Sequence, residues 1–223
     1  MDGILPVWKP ANITSYDVIR EFKRSVHPQY KVGHGGTLDP FAEGVLLLLL
    51  GKATKKMNEL MNLRKTYRAT AVLGAKSDTL DKTGSLTRQH VFTIPRIELI
   101  EEVAKQFVGV IEQEIPDYSA AKVNGVPRYK LARKGDTLTK KSKTVTIYEL
   151  NIVSLNADVA VFEATVSSGT YIRQLSYDLF KSVGVESYLC ELIRTQIGEY
   201  GRERCVEISS LATEGWRDKV VQL

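Results

Sequence analysis

Gly33-His34-Gly35-Gly36-Thr37-Leu38-Asp39-Pro40-Phe41-Ala42-Glu43-Gly44, with the apolar run Val45 to Leu50 behind it, is the stretch around which this chain is organised. Three glycines in four positions allow positive φ and close backbone approach to a ligand, so one loop can present an imidazole and a carboxylate. Pro40 fixes φ directly after the acid and biases Asp39 toward an extended conformation. The six apolar residues, bounded by glycines, read as a central strand. A bare Asp-Pro would read as a polar turn, but small residues set around one acid ahead of a core strand make Asp39 a positioned reactive group.

Upstream, Lys9-Pro10 reads as extended, and Asn12 is one of the few non-glycine types that accepts a left-handed turn. Thr14 with Asp17 makes a capping box, and Val18, Phe22 and Val26 recur along one face. A helix of about three turns ending near His27-Pro28 follows. Downstream, Gly51-Lys52 fails as a phosphate-binding loop, since Leu46 stands where the first glycine belongs and Ala53 where Ser or Thr belongs. Nucleotide hydrolysis is set aside. Lys55 to Met61 is expected as a short helix. Lys65 to Gly74 alternates so that Tyr67, Ala69, Ala71 and Leu73 share one strand face, which leaves Tyr67 equally a core aromatic or a site residue. Ser77 to Gly84 is a polar loop whose acids read as turn and cap residues, not as a metal site.

Pro95 to Phe107 predicts an amphipathic helix through Ile100, Val103, Ala104 and Phe107. Beyond it the character changes: residues 122 to 143 hold eight cations, Lys122, Arg128, Lys130, Arg133, Lys134, Lys140, Lys141 and Lys143, against one acid, Asp136. Such a run is most often a solvated face, but Tyr118 and Tyr129 beside it suit a nucleic-acid surface, where cations track phosphates and rings stack on bases. Thr144 to Leu155 and Val159 to Ser167 read as two strands joined by a short turn. The second runs into Gly169-Thr170-Tyr171-Ile172-Arg173, where helical spacing begins, so Tyr171 and Arg173 lie at a strand-to-helix junction. Glu186 to Thr195 reads as helical and then extended, and Ser209-Ser210-Leu211 starts a short final element.

The 223 residues fit one mixed α/β unit with an insertion, and hydrophobic content of 43% with 26% charge is ordinary for a globular protein. The net charge of +5 suits a polyanionic partner. Cys190 and Cys205 lack metal-ligand spacing and read as reduced and structural; no metal or cofactor is expected. The first residues carry no basic leader and no apolar run is long enough to span a bilayer, so the expectation is a cytoplasmic protein.

The string from Gly33 to Leu46 resembles the signature of the TruB family of tRNA pseudouridine synthases. Four further stretches resemble family motifs in family order: Lys9-Pro10, Lys65-x-Tyr67, Tyr118 to Gly125 and Gly169 to Arg173. The resemblance implies an α+β pseudouridine-synthase fold, a central, largely antiparallel mixed sheet flanked by helices, as one catalytic domain over residues 1–223. It implies a basic thumb-like insertion at about 117–145 that closes on an RNA stem-loop. By the same resemblance Asp39 is the catalytic acid, Arg173 its ionic partner, Tyr67 the ring that stacks on the target base and His34 the side chain that displaces it. Tyr171 and Leu192 line the pocket, while Lys9, Lys122, Arg128, Lys140, Lys141 and Lys143 contact substrate. The implied reaction is isomerisation of the tRNA T-loop uridine at position 55 by base flipping, needing no cofactor and no obligatory protein partner; nothing demands more than a monomer. Asn12 stands where the family has glycine and Ile193 where it has arginine, and no length remains for the separate C-terminal RNA-binding domain of many members. A related synthase acting on another RNA, and a non-catalytic RNA-binding or RNA-folding module, are the alternative readings.

Overall fold

The computed structural model describes residues 1–222, with Glu214 described by its backbone alone. In chain order the elements are β1 (Gly3–Lys9), α1 (Ser15–Val26), β2 (Val32–His34), β3 (Glu43–Leu50), a 3-10 turn (Gly51–Lys56), α2 (Met57–Met61), β4 (Lys65–Leu73), β5 (Ala75–Ser77) and β6 (Leu86–Arg88). There follow α3 (Ile97–Gln106), β7 (Gly109–Glu114), β8 (Lys122–Val123), β9 (Val126–Pro127), α4 (Arg128–Ala132), β10 (Ser142–Asn156), β11 (Val159–Val166), α5 (Ile172–Ser182), β12 (Ser187–Ile197), β13 (Tyr200–Gly201) and β14 (Val206–Glu207), with further 3-10 turns from Arg202 onward. Two compact units result: residues 1–68 with 192–222, and residues 69–191, the boundaries falling within β4 and β12.

The first unit is built on β3. This strand pairs antiparallel with β1 (Gly3↔Leu50 through Lys9↔Gly44) and with β2 (Val32↔Leu50 through His34↔Leu48), and parallel with β12 at Glu43 and Gly44. Leu46, Leu48 and Leu50 point into one apolar cluster with Val18, Ile19 and Phe22 of α1; Val45, Leu47 and Leu49 point into another with Leu60, Ile197 and Tyr200. A strand covered on both faces needs an unbroken apolar run, which is why Val45 to Leu50 does not alternate with polar residues. Phe22 meets Trp216 edge-on with ring centroids 5.1 Å apart. The helix α1 starts where its capping box places it: the Thr14 hydroxyl accepts from Asp17 N at 3.1 Å, and the Asp17 carboxylate accepts from Thr14 N at 2.7 Å. It ends at His27, whose φ of +46° turns the chain out, and Asn12 takes the left-handed conformation expected of it, at φ +69°.

In the second unit β10 pairs antiparallel with β11 and with β7, and α3 and α5 pack against each other and against β10 and β7. Two short hairpins, β5–β6 and β8–β9, lie outside that sheet. Glu186 to Thr195 departs from the expected helical start: Ser187 to Ile197 is one strand. Buried positions run Ser187, Leu189, Leu192, Arg194, Ile197, so period two slips by one residue twice, and the three-residue intervals imitate a helical face in sequence.

Candidate active site

Asp39 lies in the first unit, half-buried, between β2 and β3. His34 belongs to β2 rather than to an open loop: Gly33 and His34 pair with Leu49 and Leu48. Gly35 then donates its N–H to Leu47 O at 2.9 Å. Only Gly36 (φ +119°) and Gly44 (φ +124°) of this stretch use left-handed backbone, and they bracket the segment that carries the acid.

Between them every main-chain carbonyl from Gly36 to Pro40 has a fixed donor. Gly36 O and Thr37 O accept from the two terminal nitrogens of Arg194 at 3.3 and 3.2 Å. Leu38 is held twice by Ser15, whose hydroxyl donates to Leu38 O at 3.2 Å and accepts from Leu38 N at 2.9 Å. Asp39 O accepts from Ala42 N at 3.2 Å. Pro40 O accepts from Asn12 N at 2.7 Å and from Lys9 Nζ at 3.3 Å. Lys9 is wholly buried, and its ammonium also donates to Pro10 O and Ile13 O. Lys9 was expected against substrate; the structure turns it inward as a cross-brace between β1, the turn before α1 and the Asp39 loop. A carboxylate on a loop fixed at so many points reorganises little when it reacts.

The electrostatics of this unit are set by three buried cations. Arg194 is 1% exposed and Lys65 is buried with its Nζ on Met61 O and Leu63 O, both at 2.7 Å. Burial, and after it the Arg194 charge, lowers Lys9 and Lys65 to about 8. The carboxylates of Asp39 and Glu43 act on Lys9 in the opposite direction. The same two causes push His34 below the ordinary histidine value, so its imidazole is neutral at pH 7, and its buried Nδ1 has no hydrogen-bond partner among the described residues. Tyr67 and Leu192 are both buried in this unit, at 7% and 4% exposure.

The second unit carries Tyr171 and Arg173 at the start of α5. Gln113 of β7, itself 1% exposed, pairs with both main-chain groups of Tyr171: Tyr171 N donates to Oε1 at 2.8 Å, and Nε2 donates to Tyr171 O at 3.1 Å. Arg173 is 5% exposed and lies 3.4 Å from the Asp81 carboxylate, with further donations to Thr79 O at 2.7 Å and Tyr118 O at 3.0 Å. Asp81 is therefore more than the turn residue it looks like in sequence. One of its oxygens accepts from Thr79 Oγ1, Thr83 N and Thr83 Oγ1, and the other faces Arg173.

The basic insertion divides by burial. Lys122, Lys130, Arg133, Lys134, Lys140 and Lys141 are exposed or partly so. Arg128 is not: it is 2% exposed, ion-paired with Asp117 and hydrogen-bonded to Thr139 O, so it ties the two ends of the insertion together instead of facing a partner. Lys140 pairs with Glu114 at 3.0 Å. Lys143 is half-buried with its ammonium 5.8 Å from the centre of the Tyr171 ring. Of the residues expected from sequence, Lys9, His34, Asp39, Tyr67 and Leu192 belong to the first unit, and Tyr171, Arg173, Lys122, Arg128, Lys140, Lys141 and Lys143 to the second. Ser15, Arg194, Gln113 and Asp81 were missed in these roles. Arg194 stands in the stretch from Glu186 to Thr195 that sequence reads as helical and then extended, but nothing local separates a buried arginine from a surface one.

Solved structures define the class. A Cbf5-Nop10-Gar1 complex matches with a TM-score of 0.76 at 27% identity, covering 99% of this chain and 59% of that one. An H/ACA ribonucleoprotein bound to a substrate RNA containing 2′-deoxyuridine matches with a TM-score of 0.73 at 25% identity, over 99% and 58%. This chain thus spans about three fifths of those longer chains, and its fold, α+β on a mixed sheet, is the pseudouridine-synthase fold. Among sequences, tRNA pseudouridine synthase B of Clostridium acetobutylicum is 36% identical over 100% of this chain and 76% of its own length; that of Bordetella avium is 38% identical over 95% and 87%. The TruB family pseudouridylate synthase (N terminal domain) profile matches residues 23–172. The chain belongs to the TruB family of pseudouridine synthases and is an isomerase.

Proposed function

We propose that this chain converts uridine to pseudouridine in the T-loop of tRNA, at the position conventionally numbered 55, with Asp39 as the catalytic carboxylate. The observation that carries the reading is the Asp39 segment itself, in which each main-chain carbonyl from Gly36 to Pro40 is held by a fixed donor.

The reaction detaches the base from C1′ at N1, turns it and rejoins it through C5, with no change of redox state. A carboxylate serves it either by adding to the base or sugar or by assisting elimination. The uridine must first leave the stack, at a cost of a few kcal/mol. A neutral His34 suits the vacated space, because an uncharged ring enters a base stack without the desolvation penalty of an imidazolium. Tyr67 stacks on the flipped base in the unit that carries Asp39 and Leu192, and the family resemblance assigns Tyr171 a role toward the same base and Arg173 one in keeping the catalytic carboxylate ionised. The cations Lys122, Lys140 and Lys141, with Lys143, engage the phosphates of the stem-loop. The enzyme acts in the cytoplasm as a monomer with no obligatory protein partner. Among the described residues no helix is long and apolar enough to cross a membrane.

The test is incubation of the purified protein with an unmodified tRNA transcript, followed by chemical mapping of every uridine. Product confined to the T-loop is expected. Asp39→Asn is expected to slow turnover by at least roughly 10²–10⁴-fold while tRNA binding stays within about twofold. Product elsewhere in the transcript would overturn the substrate assignment, and an active Asp39→Asn the catalytic one.

A further inference from the structure

The Asp39 loop leaves β2 and returns into β3, and one side chain reaches both arms. Arg194 Nη2 and Nη1 hold Gly36 O and Thr37 O on the entering arm, and Nε donates to Val45 O at 2.7 Å on the leaving arm. Other donors on the loop, Ser15, Asn12 and Lys9, each grip one residue, Leu38 or Pro40. The root of Arg194 is fixed as well. It stands opposite Gly44 in the parallel pairing of β12 with β3, and a Cβ on Gly44 would overlap the Arg194 main chain, so the two strands touch at the loop's exit.

A buried cation is a costly way to fill space. Removing a guanidinium from water costs several kcal/mol, and here it lies near Lys9 and Lys65, whose protonation its charge disfavours. A packed apolar side chain or a neutral amide would suffice for stability alone. What arginine adds is a rigid planar fork with donors on three nitrogens, able to hold two carbonyls on the entering arm of the loop and one on β3 at fixed spacing. Lysine, with one nitrogen on a flexible stem, cannot.

We propose that Arg194 is a positioning residue for catalysis: by tying Gly36 and Thr37 to Val45 it fixes the span of the loop and so the place of the Asp39 carboxylate before substrate arrives. This rests on the reading of Asp39 as the catalytic acid. Displacement of a reacting group by about 1 Å lowers a rate on the order of 10²-fold without touching affinity, and that split separates positioning from plain scaffolding.

The experiment compares wild type, Arg194→Lys, Asp39→Asn and a core variant outside the loop, Phe22→Leu, by single-turnover pseudouridine formation at saturating unmodified tRNA transcript, by tRNA Kd and by urea midpoint. Arg194→Lys is expected to lose about 10- to 100-fold in rate with Kd within about twofold, while Phe22→Leu keeps the wild-type rate. Should Arg194→Lys fail to fold, Arg194→Gln, which keeps a planar donor head without the buried charge, is read in its place. A folded Arg194 variant within about twofold of the wild-type rate, or an equal rate loss in Phe22→Leu, would overturn the proposal. If Asp39→Asn stays active, the catalytic reading falls and this inference with it; if Asp39→Asn is dead and Arg194→Lys normal, this inference falls alone.

Discussion

At the scale of the residue, the first unit depends on cations placed where water cannot reach. Lys9 illustrates the consequence for pH. Burial, reinforced by Arg194, holds it at about 8 when folded against 10.5 for the free side chain. Between those values the unfolded chain binds a proton that the folded one has released, so stability rises with pH across that window, and the penalty for the charged form is present in full below pH 8. The difference in unfolding free energy between wild type and Lys9→Met should therefore shift in favour of wild type by about 1.4 kcal/mol per pH unit from about pH 8 to 10.5. Urea midpoints for both proteins across that range are the measurement, and a constant difference would show that Lys9 titrates as if exposed. Asp81 is a second case. Its carboxylate joins the Thr79–Thr83 turn to Arg173, with Asp81 and Arg173 themselves buried, and Asp81→Ala should cost on the order of 3–5 kcal/mol in denaturant unfolding. A loss under about 1 kcal/mol would mean that solvent replaces the carboxylate.

At the scale of the element, the stretch from Lys122 to Lys143 separates into a structural and a free set of charges. Arg128 holds the segment together from within, through Asp117 and Thr139, whereas Lys122, Lys134 and Lys141 stand in solvent. Replacing those three by Gln should leave the fold intact, weaken tRNA binding and flatten the dependence of log K on log salt by roughly 0.7 to 0.9 for each phosphate no longer neutralised. An unchanged slope would remove the insertion from the RNA surface. Arg128→Gln should behave differently, lowering the thermal stability of the segment rather than the salt slope alone. The element α5 shows the same economy of position. Gln113 fixes the peptide groups of Tyr171, so the helix that carries Arg173 starts from a residue clamped on both its N–H and its C=O.

At the scale of the whole molecule, sequence and tertiary structure contributed differently. The amino-acid sequence by itself determined the elements whose causes are local: the capping box that starts α1 at Ser15, the left-handed turn at Asn12, the apolar run that makes β3 a core strand, the alternation of β4 and the helix beginning after Tyr171. Each depends on neighbours a few residues apart, so propensity and period suffice to read it. The long Asp39 string also marked the loop and its acid. Only the tertiary structure decided which cations face inward. Lys9, Arg128 and Arg194 look in sequence like Lys122 or Lys141, yet they are buried and hold carbonyls or a carboxylate contributed by distant strands and turns. It likewise drew His34 into β2 and made Asp81 a partner of Arg173. The physical reason is the same each time: a charged side chain is stable in the interior only where donors and acceptors from remote parts of the chain converge on it, and that convergence is a property of the packed fold, not of the residue or its neighbours.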